Sequence, residues 1–170
     1  MTPSIRGLRR SDLERVLEIN QSNTPEVGSI DATRLAFIFD ESTIKLGAAV
    51  DERLVGFALV LAPGSAYDSS NYRWFQTHHP GSWYLDRVAI SMGYRRRGIG
   101  TCLYERVFEE LATTGARSLG LEVNLEPANP VSLAFHERLG FEFATQQTTD
   151  YGTVVAMMHR SIDRTSTPIT

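Results

Sequence analysis

Glycine and arginine cluster in the hexapeptide RRRGIG, between an apolar segment, YLDRVAI, and a segment with helical spacing, TCLYERVFEELA. A strand that passes through glycines into a helix brings free backbone N–H groups and the positive end of a helix dipole to one point, which binds anions. Gly98 and Gly100 have no side chain to block an anion, and Arg95, Arg96 and Arg97 can form paired contacts with phosphate. The hexapeptide therefore indicates a candidate phosphate-binding turn.

Two common phosphate-binding motifs do not match this turn. The sequence contains no GxxxxGK[ST], no third glycine completes GxGxxG, and the chain does not begin with such a unit. Both absences argue against a nucleoside triphosphate site and a dinucleotide site. A plain strand-to-helix turn on a solvated surface is the alternative interpretation of the glycines alone.

The hydrophobic pattern predicts the elements that hold this turn. Residues 5–8 are a first strand, and Ser11 with Glu14 has the spacing of a capping box ahead of a first helix. A second helix is predicted over 32–39, followed by a hairpin of LGAAV and LVGFALVLA. After the turn and its helix come the strand LGLEV, a helix from Pro130 to Leu139 with Gly140 as its C-cap, and a hairpin of FEFATQQT and TVVAMMH. This order predicts an α/β sheet with antiparallel pairs and helices on both faces.

The segment PGSAYDSSNYRWFQTHHPG, residues 63–81, breaks these periodicities. A loop of this length inside a domain is usually either functional or disordered, and its aromatic residues argue against disorder. We therefore expect a functional loop that precedes the strand WYLDRVAI.

Composition limits the classes of protein. With 170 residues, of which 42% are hydrophobic, we expect one domain over residues 4–161 and a polar tail over 162–170. A net charge of −3 provides no broad positive field for nucleic acid or for an anionic membrane. The single cysteine, Cys102, excludes an internal disulfide and fits a reducing compartment, and no signal peptide or apolar span is evident. We expect a cytoplasmic protein.

Two motifs together resemble the GNAT superfamily of acyl-CoA-dependent N-acyltransferases, and the resemblance covers residues 4–161. The family pattern is Arg or Gln, two residues, Gly, one residue, then Gly or Ala, and Arg95, Gly98 and Gly100 match it. Downstream, EPANPVSLAFHERLGF resembles the family segment that has an Asn early in a helix and ends in Gly-Phe. The resemblance implies a mixed, mostly antiparallel central sheet of about six or seven strands with helices on both faces, and an acetyl-CoA-dependent N-acetyltransferase.

The resemblance also implies where acetyl-CoA binds. The strand backbone would pair with the pantetheine amides as an added strand does, and the turn would hold the pyrophosphate. Asn129 matches the family asparagine that contacts the pantetheine arm, and Ser132 or Arg138 would reach the nucleotide. The alternative for Arg96 and Arg97 is that they are only solvated. The residues assigned to the cofactor are Val88, Ala89, Ile90, Arg95, Arg96, Arg97, Gly98, Ile99, Gly100, Thr101, Asn129 and Ser132.

Acetyl transfer from a thioester requires a neutral amine, so a carboxylate is needed to remove its proton. Glu122, in LGLEV, matches a position that is the general base in some family members, and Asp86, in YLDRVAI, is the other candidate. A salt bridge is the alternative role for either carboxylate.

The departing thiolate has a pKa near 8.5, so a weak acid suffices to protonate it. Many family members have a tyrosine five residues before the Phe of the closing Gly-Phe, and this chain has His136 there. We expect His136 to donate the proton. The alternative is that His136 packs near the sulfur and that a water or another residue is the acid.

Residues 67–84 are expected to line the acceptor site. Tyr67, Tyr72, Trp74 and Phe75 would wall an aromatic pocket and Arg73 would bind an acceptor carboxylate, although some aromatics can pack under the loop or in a homodimer. The adjacent His78 and His79 have no further ligands at regular spacing, so no metal site is predicted. The acceptor amine can be a small molecule, an amino acid, or a protein N-terminus or lysine.

Two other functions remain compatible with the sequence. One is a non-catalytic acyl-CoA-binding or regulatory module that kept the fold and lost the acid. The other is a nucleotide-phosphate-binding protein unrelated to CoA.

Overall fold

Strands and helices follow one another along the chain in the computed structural model, which describes residues 2–163. The strands are β1 (Ser4–Gly7), β2 (Ile44–Val50), β3 (Arg53–Leu61), β4 (Trp83–Ile90), β5 (Ser118–Glu126), β6 (Glu142–Thr148) and β7 (Val154–Ser161). The helices are α1 (Leu13–Gln21), α2 (Ala32–Glu41), α3 (Ser70–His78), α4 (Ile99–Ala112) and α5 (Pro130–Arg138). The strands form one 7-stranded sheet in the order β1-β2-β3-β4-β5-β7-β6.

The sheet is mostly antiparallel, as predicted. Only the β4–β5 pair is parallel, while the other neighbouring strands run in opposite directions. The predicted β2–β3 hairpin is present, and its turn residues Asp51 and Glu52 have φ angles of 48° and 65°. Two consecutive residues with positive φ give a turn whose twist matches that of the flanking strands.

Helices cover both faces of this sheet, because successive strand residues point to opposite sides. On one face, α4 packs Leu103 and Val107 onto a cluster that includes Ala58. On the other face, Ile19 of α1 and Ile38 of α2 pack onto a cluster that includes Phe57. The two clusters are the hydrophobic core above and below the sheet.

The start of α1 differs from the predicted capping box. The side chain that caps the turn before α1 belongs to Asp12 and not to Ser11. The Asp12 carboxylate accepts the backbone N–H of Arg9 at 2.7 Å. The same carboxylate forms a salt bridge with Arg6 at 2.8 Å. Serine and aspartate are both suitable capping residues, and the salt bridge with Arg6 of β1 favours Asp12.

The predicted loop over 63–81 contains helix α3. Ser69 caps this helix, since its Oγ accepts the backbone N–H of Tyr72 at 3.3 Å. Tyr72 and Phe75 are buried and lie three residues apart, which is one helical turn. Nine residues provide too few apolar repeats for a helical period to be evident beside the polar residues.

Strands β4 and β5 separate after a short contact, which opens the sheet. They pair only at Trp83 with Leu119 and at Tyr84 with Gly120. Between the β3–β4 partners Leu59–Arg87 and Val60–Leu85, Asp86 is an extra residue in β4. Such a bulge bends a strand and redirects its side chain. The result is a cleft between β4 and β5.

The predicted tail, residues 162–170, is described only at its start. The Ile162 N–H donates to the Arg117 carbonyl at 3.0 Å, and the side chain packs at the edge of the core. Residues 164–170 lie outside the described residues.

Candidate active site

The cleft between β4 and β5 widens into a cavity of about 970 Å³. The first turns of α3 and α4, the helix α5, the α1–α2 loop and the β6–β7 loop form its walls. Of the residues predicted to bind acetyl-CoA, those that line the cavity are Val88, Ala89, Ile90, Arg95, Arg96, Gly98, Ile99, Gly100, Thr101, Asn129 and Ser132.

One end of the cavity is the glycine turn. Gly98 is the N-cap of α4 and has a φ of 75°, the left-handed region that favours glycine. Among residues 2–163, no acceptor is found for the backbone N–H groups from Arg96 to Thr101. Gly100 lies close to Phe135, because a Cβ there would be 3.5 Å from its ring. These N–H groups and the helix dipole make this end an anion site.

The three arginines of the turn have different surroundings. Arg95 donates a hydrogen bond to Asn23 of the α1–α2 loop. Arg97 lies over the ring of Tyr94, with its Cζ 5.4 Å from the centroid, rather than in the cavity wall. Arg96 lines the cavity with a φ of 60°. Arg95 and Arg96 thus line the cavity, and Arg97 does not.

The open edge of β4 forms one side of the cleft. On their other edge, Val88, Ala89 and Ile90 pair with β3. The Ile90 carbonyl accepts an N–H of the Asn23 side chain at 3.1 Å. A strand edge that faces a cleft can accept an extended chain of amides as an added strand.

Glu122 lies on β5, deeper in the cleft, with Tyr84 of β4 as its partner. The Tyr84 hydroxyl donates to Glu122 Oε2. Burial raises the pKa of Glu122 to about 7, and the hydrogen bond from Tyr84 opposes that rise, while the nearby charge of Asp86 adds to it. A carboxyl with a pKa near neutral pH is well suited to accept and release a proton.

Asp86 has a different environment from Glu122. Its Oδ1 accepts the Tyr67 hydroxyl at 2.5 Å, and its Oδ2 accepts Arg87 Nε at 2.7 Å. The side chains of Asp86 and Arg87 are 4% and 8% exposed, so the ion pair is buried. Arg87 also donates to Asn20 Oδ1 at 2.8 Å, which links the pair to α1. Both carboxylate oxygens of Asp86 are therefore occupied.

His136 is buried on α5, and both of its ring nitrogens are bonded. Nδ1 is 2.7 Å from the Ser132 carbonyl, which can only accept, so Nδ1 carries a hydrogen. Nε2 is 2.6 Å from the Tyr104 hydroxyl, which donates to it when the ring is neutral. Burial lowers the pKa of His136, which favours the neutral ring. A pair of Tyr104 and His136 thus stands where the resemblance implies a single tyrosine.

Four of the residues predicted for the acceptor site lie away from the cavity wall. Tyr72 is buried, donates its hydroxyl to the Ala62 carbonyl at 2.8 Å and accepts the Ser65 N–H. Phe75 is buried against Gly120, and Trp74 stacks on His78 with the ring centroids 4.5 Å apart. Helix α3 turns these aromatics toward the core and toward each other, and Arg73 is exposed on the same helix. This corrects the predicted lining.

Tyr67, which was predicted for the pocket wall, does line the cavity. The other residues of this segment in the cavity wall are Asp68, Ser69, Ser70 and Asn71. The α1–α2 loop, from Asn23 to Ile30, and the β6–β7 loop, from Thr149 to Tyr151, also line the cavity and were not predicted. Both loops connect predicted elements and are rich in polar residues and in glycine or proline. No local pattern marks them as part of a site, because only the folded structure brings them to the cleft.

Two further properties concern residues 2–163. No group of three or more His, Cys, Asp or Glu side chains is arranged to hold a metal ion in this part of the chain. Within the same residues, no helix is both long enough and apolar enough to cross a membrane.

Comparisons with known proteins agree with this geometry. The family model "Acetyltransferase (GNAT) family" matches residues 13–141. The [ribosomal protein bS18]-alanine N-acetyltransferase of Salmonella typhimurium is 26% identical over 144 residues, which are 79% of this chain and 85% of the relative.

Solved structures share the fold. The ribosomal-protein-S18-alanine N-acetyltransferase of Escherichia coli has a TM-score of 0.75 at 21% identity and covers 99% of each chain. A phosphinothricin acetyltransferase from Sinorhizobium meliloti, in complex with acetyl-CoA, has a TM-score of 0.74 at 23% identity, with 100% of this chain and 94% of that chain covered. The predicted resemblance is confirmed: the chain belongs to the GNAT family of acetyltransferases.

Proposed function

We propose that this acetyltransferase moves the acetyl group of acetyl-CoA directly to a primary amine while both substrates are bound. The observation that carries the proposal is one continuous cleft, with an anion-binding helix N-terminus at one end and the carboxyl of Glu122, with a pKa of about 7, deep within it. Acetyl-CoA, which is anionic, and the amine, which gives up a proton to Glu122, would thus meet in one cavity.

The acetyl-CoA site would be formed by α4 and β4. The free N–H groups at the start of α4 fit the pyrophosphate, and the open edge of β4 at Val88 to Ile90 fits the amides of the pantetheine arm. Asn129 caps α5 through its Oδ1, which accepts the Ser132 N–H at 3.2 Å, on the opposite side of the cleft. Ser132 and Arg138 line the same side and would contact the rest of the cofactor.

Glu122 would be the general base. Its pKa of about 7 allows it to take a proton from an ammonium group near neutral pH, whereas an ordinary glutamate has little affinity for that proton. Asp86 would be a structural residue, because Arg87 and Tyr67 already occupy its two oxygens. This assigns different roles to the two candidate carboxylates.

The proton for the thiolate would come from the pair of His136 and Tyr104. In the neutral ring Nδ1 is bound to Ser132 and Nε2 has no hydrogen, so Nε2 would first take a proton from the solvent of the cleft and then pass it to the thiolate. A thiolate with a pKa near 8.5 needs only a weak acid. His136 remains our proposed acid, with Tyr104 fixing its ring.

The acceptor would be a cationic primary amine. Glu26 and Asp150 line the cavity and have no salt-bridge partner among residues 2–163, while Arg34 and Arg87 are paired with Asp68 and Asp86. The carboxylates of Glu26 and Asp150 add negative charge to the cavity wall, which attracts an ammonium group. The relative named for the alanine of a ribosomal protein supports a protein or peptide amine and action in the cytoplasm.

Thiol release from acetyl-CoA, measured across a panel of amines, amino acids and peptides, tests this function. The matched control is Glu122→Gln, which keeps the shape of the side chain and removes the base. We expect amine-dependent thiol release by the wild type, a loss of about 100-fold in kcat for the variant, and acetyl-CoA binding within about twofold by calorimetry. Acetyl-CoA binding without turnover for every amine would instead indicate a non-catalytic module. Binding of ATP in preference to acetyl-CoA would contradict the CoA site itself.

A further inference from the structure

Asn71 has an unusual position in the acceptor end of the cavity. It lies in the first turn of α3, lines the cavity and is only 4% exposed. Its Oδ1 is buried and, among residues 2–163, has no hydrogen-bond partner. Buried side-chain oxygens are nearly always paired in folded proteins, so a group that is absent from the free protein is expected to meet this one.

The neighbours of Asn71 do not provide the missing donor. Asn71 and Glu122 line the same cavity, and the proximity of the Asn71 amide lowers the pKa of the Glu122 carboxyl. The Tyr84 hydroxyl donates to Glu122, the Tyr67 hydroxyl donates to Asp86, and Arg87 donates to Asp86 and Asn20. These three donors are therefore committed to other acceptors.

The nitrogen of the acceptor provides the donor that the free protein lacks. An amine held at Glu122 for deprotonation is also beside Asn71, and the terminal amide can turn about its Cβ–Cγ bond because that torsion is soft. We propose that Asn71 is a specificity-determining residue whose Oδ1 accepts an N–H of the attacking nitrogen, so that the site selects primary over secondary amines. This proposal rests on the proposed function.

The count of hydrogens during the reaction explains the selectivity. Glu122 first takes one proton from the ammonium group, and the lone pair that this frees forms the C–N bond. The C–S bond then breaks with its electron pair on sulfur, which is protonated, and nitrogen loses its second proton to the solvent of the cleft. A primary amine keeps one N–H in the amide product, and this N–H remains available to Asn71. An N-methyl amine keeps none, so Oδ1 stays unpaired and faces a methyl group. Sites built to bind a hydrogen strongly reject the analogue that lacks it.

The selectivity can be measured with matched pairs of amines. The probes are a peptide with an N-terminal alanine against the same peptide with N-methylalanine, and phenethylamine against N-methylphenethylamine. The proteins are the wild type, Asn71→Leu, which has similar size and no acceptor, and Asn71→Asp, which keeps an oxygen at this position. The readout is the ratio of kcat/KM between the primary and the N-methyl amine, with the KM for acetyl-CoA measured in parallel.

We expect the ratio to fall about tenfold or more in Asn71→Leu and to stay within about threefold of the wild type in Asn71→Asp, with similar KM values for acetyl-CoA. Asn124→Leu removes another amide of the cavity, one that already donates to the Pro25 carbonyl, and should leave the ratio unchanged. If Asn71→Leu does not fold, Asn71→Ser replaces it as the variant without an acceptor, because the serine hydroxyl is too short to reach the amine.

Two results would overturn parts of this inference separately. An unchanged ratio in the leucine or serine variant, with the wild type active, would reject the role of Asn71 and leave the proposed function intact. A wild type that releases no thiol with any primary amine would reject the proposed function, and the role of Asn71 with it.

Discussion

Glu122 and Asp86 carry the same functional group, yet the fold surrounds them with different neighbours. Asp86 has a buried arginine and a tyrosine on its two oxygens, and Glu122 has a single tyrosine on one oxygen. Because Glu122 lacks a cation in direct contact, burial dominates and raises its pKa to about 7. At the residue scale, the environment rather than the residue type separates the proposed base from the buried ion pair.

The raised pKa of Glu122 has a consequence for stability. Its pKa is about 7 in the folded protein against 4.5 for an ordinary glutamate, so the folded state binds the proton more tightly. Stability therefore falls as pH rises from about 4.5 to about 7, by up to about 3 kcal/mol. We expect Glu122→Gln to be more stable than the wild type near pH 8 and equally stable near pH 4.5, as measured by urea unfolding.

The control for this prediction is how the difference in stability between Glu122→Gln and the wild type changes with pH. A glutamine that stabilised the protein equally at both pH values would act through packing, and the assigned pKa of Glu122 would then be incorrect. Asp86→Asn should show the opposite sign near pH 8, because it leaves the buried Arg87 without its carboxylate.

His136 gives a second prediction at the residue scale. His136→Phe removes the acceptor of the Tyr104 hydroxyl and the proposed proton source, while the ring remains about the same size. We expect kcat to fall about tenfold or more, with the KM for acetyl-CoA within about twofold. Steady-state kinetics checks this, and Tyr104→Phe serves as the companion variant. An unchanged kcat in His136→Phe would leave the histidine with a packing role only.

Helix α4 and strand β4 position the cofactor end of the cleft at the element scale. The helix starts at a glycine with positive φ, so its first N–H groups face the cavity rather than a capping side chain. The strand is bulged at Asp86 and separates from β5 after Tyr84, which leaves its edge open. Each element is ordinary alone, and their meeting point makes the binding site.

The start of α4 provides the prediction at this scale. Gly98→Asp introduces a carboxylate at the proposed phosphate position, and we expect acetyl-CoA binding to be lost in isothermal titration. Gly98→Ala is the control, because no atom lies within 4 Å of its added Cβ and its cost is the strain of a φ of 75°. That strain is about 1 kcal/mol of stability. Normal acetyl-CoA affinity in Gly98→Asp would exclude the turn from the cofactor site.

At the scale of the whole molecule, the packing of α3 against the sheet connects the acceptor end to the core. Phe75 lies directly over Gly120 of β5, and α3 presents Asn71 to the cavity from the same turns. The buried Tyr67, Tyr72 and Tyr84 rings contact one another beside it, with centroids 5.7 to 6.4 Å apart. The aromatics of this segment thus support the site from beneath.

Gly120→Ala tests this support. The added Cβ would lie 2.5 Å from a ring carbon of Phe75, which is fully buried and cannot move freely. We expect a loss of about 1–3 kcal/mol in the free energy of unfolding, together with a raised KM for the amine as α3 shifts. Thermal unfolding and steady-state kinetics measure both effects. Gly93→Ala, where nothing lies within 4 Å of the added Cβ, is the control and should change neither.

The sequence alone was sufficient for the features that depend on neighbouring residues. The order of the strands and of the helices other than α3, the β2–β3 turn and the glycine-capped start of α4 all follow from local periodicity, from glycine at particular positions and from backbone geometry. Two motifs were sufficient to identify the family, since each has a fixed local spacing. Helix α3 was missed because its short apolar period is hidden among polar residues.

Only the tertiary structure determined which groups meet in the cleft. Tyr84 and Glu122 are 38 residues apart, and Tyr104 and His136 are 32 apart, so no local pattern connects them. The same holds for the unpaired oxygen of Asn71, which depends on how α3 packs against β5. Proton affinity and hydrogen bonding are set by burial and by contacts between distant segments, and these exist only once the chain has folded.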